Sequence, residues 1–100
     1  MGFKVTLTGG KKTVAAAGTA EKLVASGKAT WVRIQALSAN TNPIFVGDSN
    51  VDKTTDPQCD LAAGEHVILD AAEAGGFIDL STIYIDVTTN GEGVNFLYLA

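Results

Sequence analysis

The amino-acid sequence predicts an all-β chain, folded as an antiparallel β-sandwich or a jelly-roll-like small barrel. Apolar and polar residues alternate in several short runs, which is typical of strands that bury one face. Gly, Asn and Pro residues separate these runs, as turn residues do between the strands of a sandwich. The 100 residues suit one domain, so we assign 1–100 to a single β-sandwich.

The N-terminal part of the sequence is the least regular. Phe3, Val5 and Leu7 alternate as residues of a strand do, whereas the Ala-rich residues 14–25 fit either two strands or a short helix. Glycines within and just after this stretch each cost about 1 kcal/mol relative to Ala inside a helix, so we favour strands. For residues 1–18 the pattern leaves an N-terminal arm, a strand and a helix open.

The clearest strand lies between residues 29 and 37. Its predicted inward residues are Val32, Ile34 and Ala36, and its predicted outward residues are Trp31, Arg33 and Gln35. Asn and Pro in residues 40–43 end this strand, because Pro cannot donate to a strand ladder. Residues 44–46 are predicted to form a short strand, and residues 47–60 a polar loop that is long for so small a domain.

The last third of the sequence predicts three further strands, over residues 66–70, 83–87 and 94–99. Asn90 and Gly91 stand between the last two of these strands. Both residue types tolerate the positive φ angles of a tight turn. The sequence therefore predicts that the last two strands pair as an antiparallel hairpin.

The composition argues against several classes of partner. Hydrophobic residues make up 46% of the chain and charged residues 18%, so disorder is not expected. The net charge of -4 at pH 7 opposes contact with a phosphate backbone, and nucleic acid is not an expected partner. No apolar run reaches the roughly 20 residues of a membrane span, so no membrane contact is expected. Cys59 is the only cysteine, which suits synthesis in a reducing cytosol.

No set of residues forms a recognisable catalytic pattern. His66 is the only histidine, and no nucleophile stands at a motif spacing from it. Residues 9–13 resemble a phosphate-binding loop, but Lys12 stands where the motif needs Ser or Thr, so we predict a lysine-bearing hairpin turn there. Asp60 beside Cys59 disfavours the thiolate. The chain is therefore predicted to be non-enzymatic, with no catalytic residue and no cofactor.

Three residues of the polar loop have the alternate spacing of calcium ligands: Asp48, Asn50 and Asp52. Lys53 follows them, and the twelfth position of such a loop holds Cys59 where a calcium loop has Glu. The sequence therefore predicts a solvated acidic loop, and we assign no metal ligand.

The predicted strands leave large apolar residues on outward faces. The final strand is apolar on both sides, which a monomer seldom leaves exposed to water. Either some strand faces are assigned wrongly or covered by the N-terminal segment, or these residues dock on other subunits, where Trp, Tyr and Arg are favoured. The second interpretation gives a candidate subunit interface formed by Trp31, Arg33, Gln35, Phe45, Tyr84, Leu97 and Leu99.

Several stretches of the sequence resemble a pattern found in small virion proteins of tailed phages. They are Val32-Arg33-Ile34-Gln35-Ala36, Asn40-Thr41, Ile44-Phe45-Val46-Gly47, Leu61-Ala62-Ala63-Gly64-Glu65 and Ile78-Asp79-Leu80-Ser81-Thr82-Ile83-Tyr84-Ile85. The resemblance covers residues 19–99, and residues 1–18 fall outside it.

This resemblance implies a β-sandwich subunit of the mature particle, a decoration or cement protein that packs on the capsid and stabilises it. The partners it implies are the major capsid protein or other virion subunits, together with further copies of the chain in a homo-oligomer. The implied location is the capsid surface, after assembly in the host cytoplasm. The alternative is a tail or fibre attachment module with a carbohydrate-binding sandwich, whose outward aromatic residues would stack on sugar rings.

Overall fold

The computed structural model describes residues 6–71 and 75–100, so the predicted strand residues Phe3 and Val5 lie outside the described residues. In those two ranges the chain forms strands and one short 3-10 turn, at Leu80–Thr82, with no α-helix. The strands are β1 (Leu7–Thr13), β2 (Glu21–Lys22), β3 (Lys28–Ala29), β4 (Trp31–Ala36), β5 (Ile44–Gly47), β6 (Cys59–Leu61), β7 (His66–Asp70), β8 (Ile78–Asp79), β9 (Tyr84–Val87) and β10 (Gly93–Leu99). The predicted all-β class is confirmed.

The strands form two four-stranded antiparallel sheets. Sheet A has the order β1-β10-β4-β7, sheet B has the order β2-β9-β5-β6, and β3 pairs with β8 in a separate ribbon. The hairpin-like pairs are nested: β1 with β10, β2 with β9, β3 with β8, β4 with β7 and β5 with β6. The chain is thus one long hairpin folded over on itself, so that β10 also pairs with β4 and β9 with β5. This is the strand order of a jelly roll.

The core lies between the two sheets and takes alternate residues from each strand. The predicted inward residues of β4, Val32, Ile34 and Ala36, are almost fully buried, which confirms that prediction. Ile44 and Val46 of β5 face them, and these residues belong to one apolar cluster. Because neighbouring residues of a strand point to opposite sides, the burial of one set fixes the other set on the outer face.

Residues 7–13 form an edge strand and not the predicted hairpin turn at residues 9–13. All seven residues of β1 pair with β10. Gly10 lies under the aromatic ring of Phe96, and a Cβ atom at Gly10 would come within 2.6 Å of the ring carbon Cζ. The glycine therefore makes room for an aromatic side chain of the neighbouring strand, which is a packing role that a turn-based interpretation misses.

The predicted hairpin between the last two strands is wrong, because β9 belongs to sheet B and β10 to sheet A. Gly91 does have a positive φ, of 83°. The turn, however, bonds to a distant segment: Gly91 N donates to Val14 O at 2.8 Å, and Val14 N donates to Glu92 O at 3.0 Å. These bonds direct the chain across the sandwich into the other sheet.

The crossing ends at Gly93, which Asn40 holds in place. The side-chain nitrogen of Asn40 donates to Gly93 O at 2.9 Å, and Gly93 N donates to the Asn40 side-chain oxygen at 3.4 Å. A Cβ atom at Gly93 would collide with the carbonyl oxygen of Lys12 and would lie 2.7 Å from Thr13 Cα. Backbone atoms cannot move aside as a flexible side chain can, so this close approach requires glycine.

We therefore expect Gly93→Ala to lower the free energy of unfolding by about 2 to 3 kcal/mol, because the added methyl group pushes β1 away from β10. Gly76→Ala is the matched control, since a Cβ atom there meets nothing within 4 Å. It should change stability by no more than about 0.5 kcal/mol. Urea unfolding followed by fluorescence measures the free energy of unfolding of both variants. Equal stability of the two variants would contradict the close approach of β1 to Gly93.

Candidate functional site

The outer face of sheet A brings apolar side chains of all four strands together. The strand register aligns them in rows across the sheet. The rows contain Leu7, Leu99, Trp31 and Asp70, then Gly9, Leu97, Arg33 and Ile68, then Lys11, Asn95, Gln35 and His66. Side chains directly opposite each other on neighbouring strands have Cβ atoms about 5 Å apart, so each row is a set of neighbours.

The first two rows form an apolar surface that nothing covers within the described part of the chain. Leu7 is 59% exposed and Ile68 is 46% exposed. Trp31, Leu97 and Leu99 are partly exposed between them. Large apolar side chains that adjoin one another in water are uncommon on a monomer and mark a contact surface.

Five of the seven residues predicted for a subunit interface share this face: Trp31, Arg33, Gln35, Leu97 and Leu99. The expectation that Tyr84 shares the face of Trp31 is wrong. Tyr84 pairs with Lys22 and Gly47 in sheet B, and so it lies on the opposite side of the sandwich. Phe45 is also in sheet B, where it is only 8% exposed and therefore not available for an interface.

Sequence reasoning missed two members of the sheet A outer face. The interface predicted from the sequence does not include Ile68, and the sequence assigns Leu7 only to a strand. The signal for Ile68 was present, since it is a large apolar residue on an outward position. The sequence gives no such signal for Leu7, because Leu7 lies beside Leu99 only through a pairing between the two ends of the described chain.

The outer face of sheet B differs from that of sheet A, because two loops cover it. One buried carboxylate accepts hydrogen bonds from both loops. Asp86 is fully buried. Its Oδ1 accepts hydrogen bonds from Gly18 N at 2.9 Å and Val87 N at 2.8 Å, and its Oδ2 accepts from Lys53 N at 2.8 Å. One side chain thus fixes the loop before β2 and the loop between β5 and β6.

The acidic residues of the loop at 47–60 accept hydrogen bonds from other residues of the same loop. Asp48 Oδ1 accepts from Gln58 Nε2 at 2.7 Å and from Asn50 N at 2.9 Å, and these bonds lower the pKa of Asp48. Asp52 Oδ1 accepts from the backbone nitrogens of Thr55 and Thr54, which lowers the pKa of Asp52. In residues 6–71 and 75–100 no group of three or more His, Cys, Asp or Glu residues could hold a metal ion.

This loop has more internal structure than its composition predicts. Val51 is only 3% exposed and so provides an apolar anchor. Asp52 and Asp56 form an isolated β-bridge, with backbone bonds of 2.8 and 3.2 Å. The loop is therefore a folded cover over sheet B.

Cys59 and His66 are not part of a shared site. Cys59 is partly buried in sheet B, and burial raises the pKa of its thiol, with a smaller contribution from the charge of Asp60. A protonated thiol is a weak nucleophile. His66 is exposed on β7 in sheet A, across from Gln35.

A cleft of about 260 Å³ opens on the sheet B side of the molecule. Its lining residues are Lys22, Asp48, Ser49, Ser81, Thr82 and Tyr84. It brings one aromatic ring together with hydroxyl, ammonium and carboxylate groups.

No protein-family model matches the chain, and no curated protein or solved structure matches it either. The described ranges also lack any helix with the length and apolar character needed to cross a membrane. The function is therefore inferred from the residues of the chain itself.

The bonds to Asp86 predict a large effect of removing its carboxylate. Asp86→Ala removes the acceptor of one buried and two partly buried backbone N–H groups, so we expect the free energy of unfolding to fall by about 3 kcal/mol. The two loops should also become susceptible to limited proteolysis. Asp60→Ala is the control, because Asp60 is an exposed carboxylate on the same sheet. A wild-type cleavage pattern in the Asp86 variant would show that other contacts hold the loops.

Proposed function

We propose that this chain is a structural subunit of a tailed-phage particle, a decoration or cement protein that packs on the capsid through the outer face of sheet A. The observation that carries the proposal is the apolar surface around Trp31 and Leu97. The proposal assigns no reaction, cofactor or nucleic-acid partner to the chain.

The arrangement of side chains on this face resembles that of a protein interface. Its centre combines a Trp, an Arg and three Leu residues, and Trp and Arg dominate the binding energy of many interfaces. The third row, which contains Lys11, Gln35 and His66, is polar and borders the apolar rows on one side. An apolar centre with a polar rim excludes water from the contacts that contribute most to association.

Arg33 gives the surface a specific charge at its centre. It lies between Leu97 of β10 and Ile68 of β7. An arginine that loses its water on docking needs a carboxylate or carbonyl acceptor in the partner. We therefore propose a partner surface that is apolar with an acidic or carbonyl group at its centre.

The resemblance to small virion proteins supports this role. Its stretches include most of β4 and all of β5, which supply much of the core between the sheets. The jelly-roll strand order also occurs in viral capsid domains and in lectins. That likeness is at the level of the fold, which hosts several functions, so the apolar outer face of sheet A is the main support for the proposed role.

The proposed partner is the major capsid protein, and the proposed location is the capsid surface after synthesis in the host cytoplasm. We also propose that copies of the chain associate as a symmetric homo-oligomer, as most soluble assemblies do. A second candidate is a tail or fibre attachment module, for which the aromatic cleft on the sheet B side is the favouring observation. Cryo-electron microscopy of particles from the phage that encodes the chain separates these positions.

Trp31→Ala is expected to weaken docking by about 2 kcal/mol or more, because a buried Trp anchors an interface. Folding should be retained, since Trp31 lies on the outer face. The measurement is co-sedimentation of the purified variant with particles that lack the protein, beside a circular dichroism spectrum.

Ile34→Ala is the matched control on the same strand. Ile34 is 0% exposed, so its truncation leaves a cavity and should cost about 3 kcal/mol of stability while the folded fraction still docks. The proposal fails if the chain is absent from purified particles. It also fails if folded Trp31→Ala docks as well as the wild type.

A further inference from the structure

We propose that the cleft on the sheet B side binds a neutral sugar ring, which stacks on Tyr84 and hydrogen-bonds to the groups around it. The inference rests on the second candidate function, the attachment module, and does not depend on docking through sheet A, which uses the opposite side of the sandwich. The residues that line the cleft, and the contacts that hold them, support the inference.

Tyr84 gives the lining of the cleft its aromatic ring. Tyr84 lies on β9 between Lys22 of β2 and Gly47 of β5, all on the outer face of sheet B. Tyr84 is partly exposed. An exposed tyrosine face offers the flat apolar surface that the C–H side of a sugar ring needs.

One wall of the cleft is held in position by Gln58. Its side chain lies over Gly47, where a Cβ atom would collide with its amide group. Asp48 N donates to Gln58 Oε1 at 3.0 Å, and Gln58 Nε2 donates to Asp48 Oδ1 at 2.7 Å. This pair of bonds fixes the carboxylate of Asp48 at the edge of the cleft.

Gln58 adopts a strained backbone to make these contacts. Its φ of 52° is the one positive value among the non-glycine residues of the described ranges. Such a conformation is strained and is often found where a site requires it. The strained backbone of Gln58 and the glycine at position 47 both allow the Gln58 side chain to reach Asp48 and hold it in place.

Two further lining residues, Ser81 and Thr82, carry hydroxyl oxygens that can accept hydrogen bonds. Ser81 Oγ donates its hydrogen to Asp79 Oδ1 at 2.7 Å, and Thr82 Oγ1 donates to Asp79 O at 2.6 Å. Because both hydrogens are engaged, the lone pairs of these oxygens remain for a ligand. The cleft thus surrounds one ring with hydrogen-bond acceptors and with donors, which include the ammonium group of Lys22 and the hydroxyl groups of Ser49 and Tyr84.

This set of groups favours a neutral polyhydroxylated ligand over other classes. The charges of Lys22 and Asp48 offset each other, so the lining has no net charge with which to hold a phosphate or sulfate. The lining combines apolar carbon surface with polar atoms, and a purely apolar ligand would leave those polar atoms without partners. Sugar hydroxyls both donate and accept, and so they match acceptor walls and a lysine together. The volume of about 260 Å³ suits a single ring better than a long chain.

The test is an NMR titration of the isotope-labelled protein with D-glucose, D-galactose, N-acetylglucosamine and sodium phosphate, each taken separately to high millimolar concentration. At least one sugar should shift the amide signals of Ser49, Ser81 and Tyr84 in a saturable manner. Tyr84→Ala should weaken that binding at least about tenfold, and Tyr84→Phe should retain most of it, because the ring provides the stacking surface. Trp31→Ala, on the other side of the sandwich, should bind the sugar as the wild type does.

Three results would overturn the inference. The first is that none of the sugars shifts the cleft signals in a saturable manner. The second is that phosphate shifts them and no sugar does, which would make the cleft an anion site. The third is that folded Tyr84→Ala binds sugar with unchanged affinity. None of these results bears on docking through sheet A, which particle sedimentation measures separately.

Discussion

The pairing of β10 with β1 on one side and β4 on the other is the constraint on which the structure depends. Sheet A exists only because β10 joins these two strands. The inner residues of β10, Val94 and Phe96, pack in or against the core, while Leu97 and Leu99 belong to the outer face. The same strand therefore contributes to the stability of the domain and to its candidate docking surface.

The two sides of the sandwich have different surfaces because their outer faces are covered differently. On sheet B, loops cross the strands, Asp86 bonds to both of them, and Phe45 becomes buried. On sheet A, no loop of the described chain crosses, and Leu7 and Ile68 stay exposed. The asymmetry gives the molecule one apolar side suited to protein contact and one polar side with a cleft.

Alternation along a strand is a local property, and it predicted the faces of β4 and β10 from the sequence. Pairing between strands is not local, and the incorrect predictions concern which strands pair and which sheet a strand joins. Asn90 and Gly91 do form a turn, but bonds to Val14 direct it into another sheet. Tyr84 was placed beside Trp31 because alternation tells which residues of one strand share a face, and gives no information on which sheet a second strand joins.

The nested pairing has a consequence for the order of folding. Among the nested pairs, β5 and β6 are closest in the sequence and enclose the shortest loop. By contrast, β1 and β10 join the two ends of the described chain, and backbone hydrogen bonds between Thr6 and Ala100 continue this pairing. Long loops cost more entropy to close, and distant pairings slow folding. We therefore expect the hairpin to close from its middle outward. Leu7, Leu97 and Leu99 then come together in the last step, so a half-folded chain lacks the complete outer face of sheet A, and the candidate docking surface exists only once the sandwich has closed.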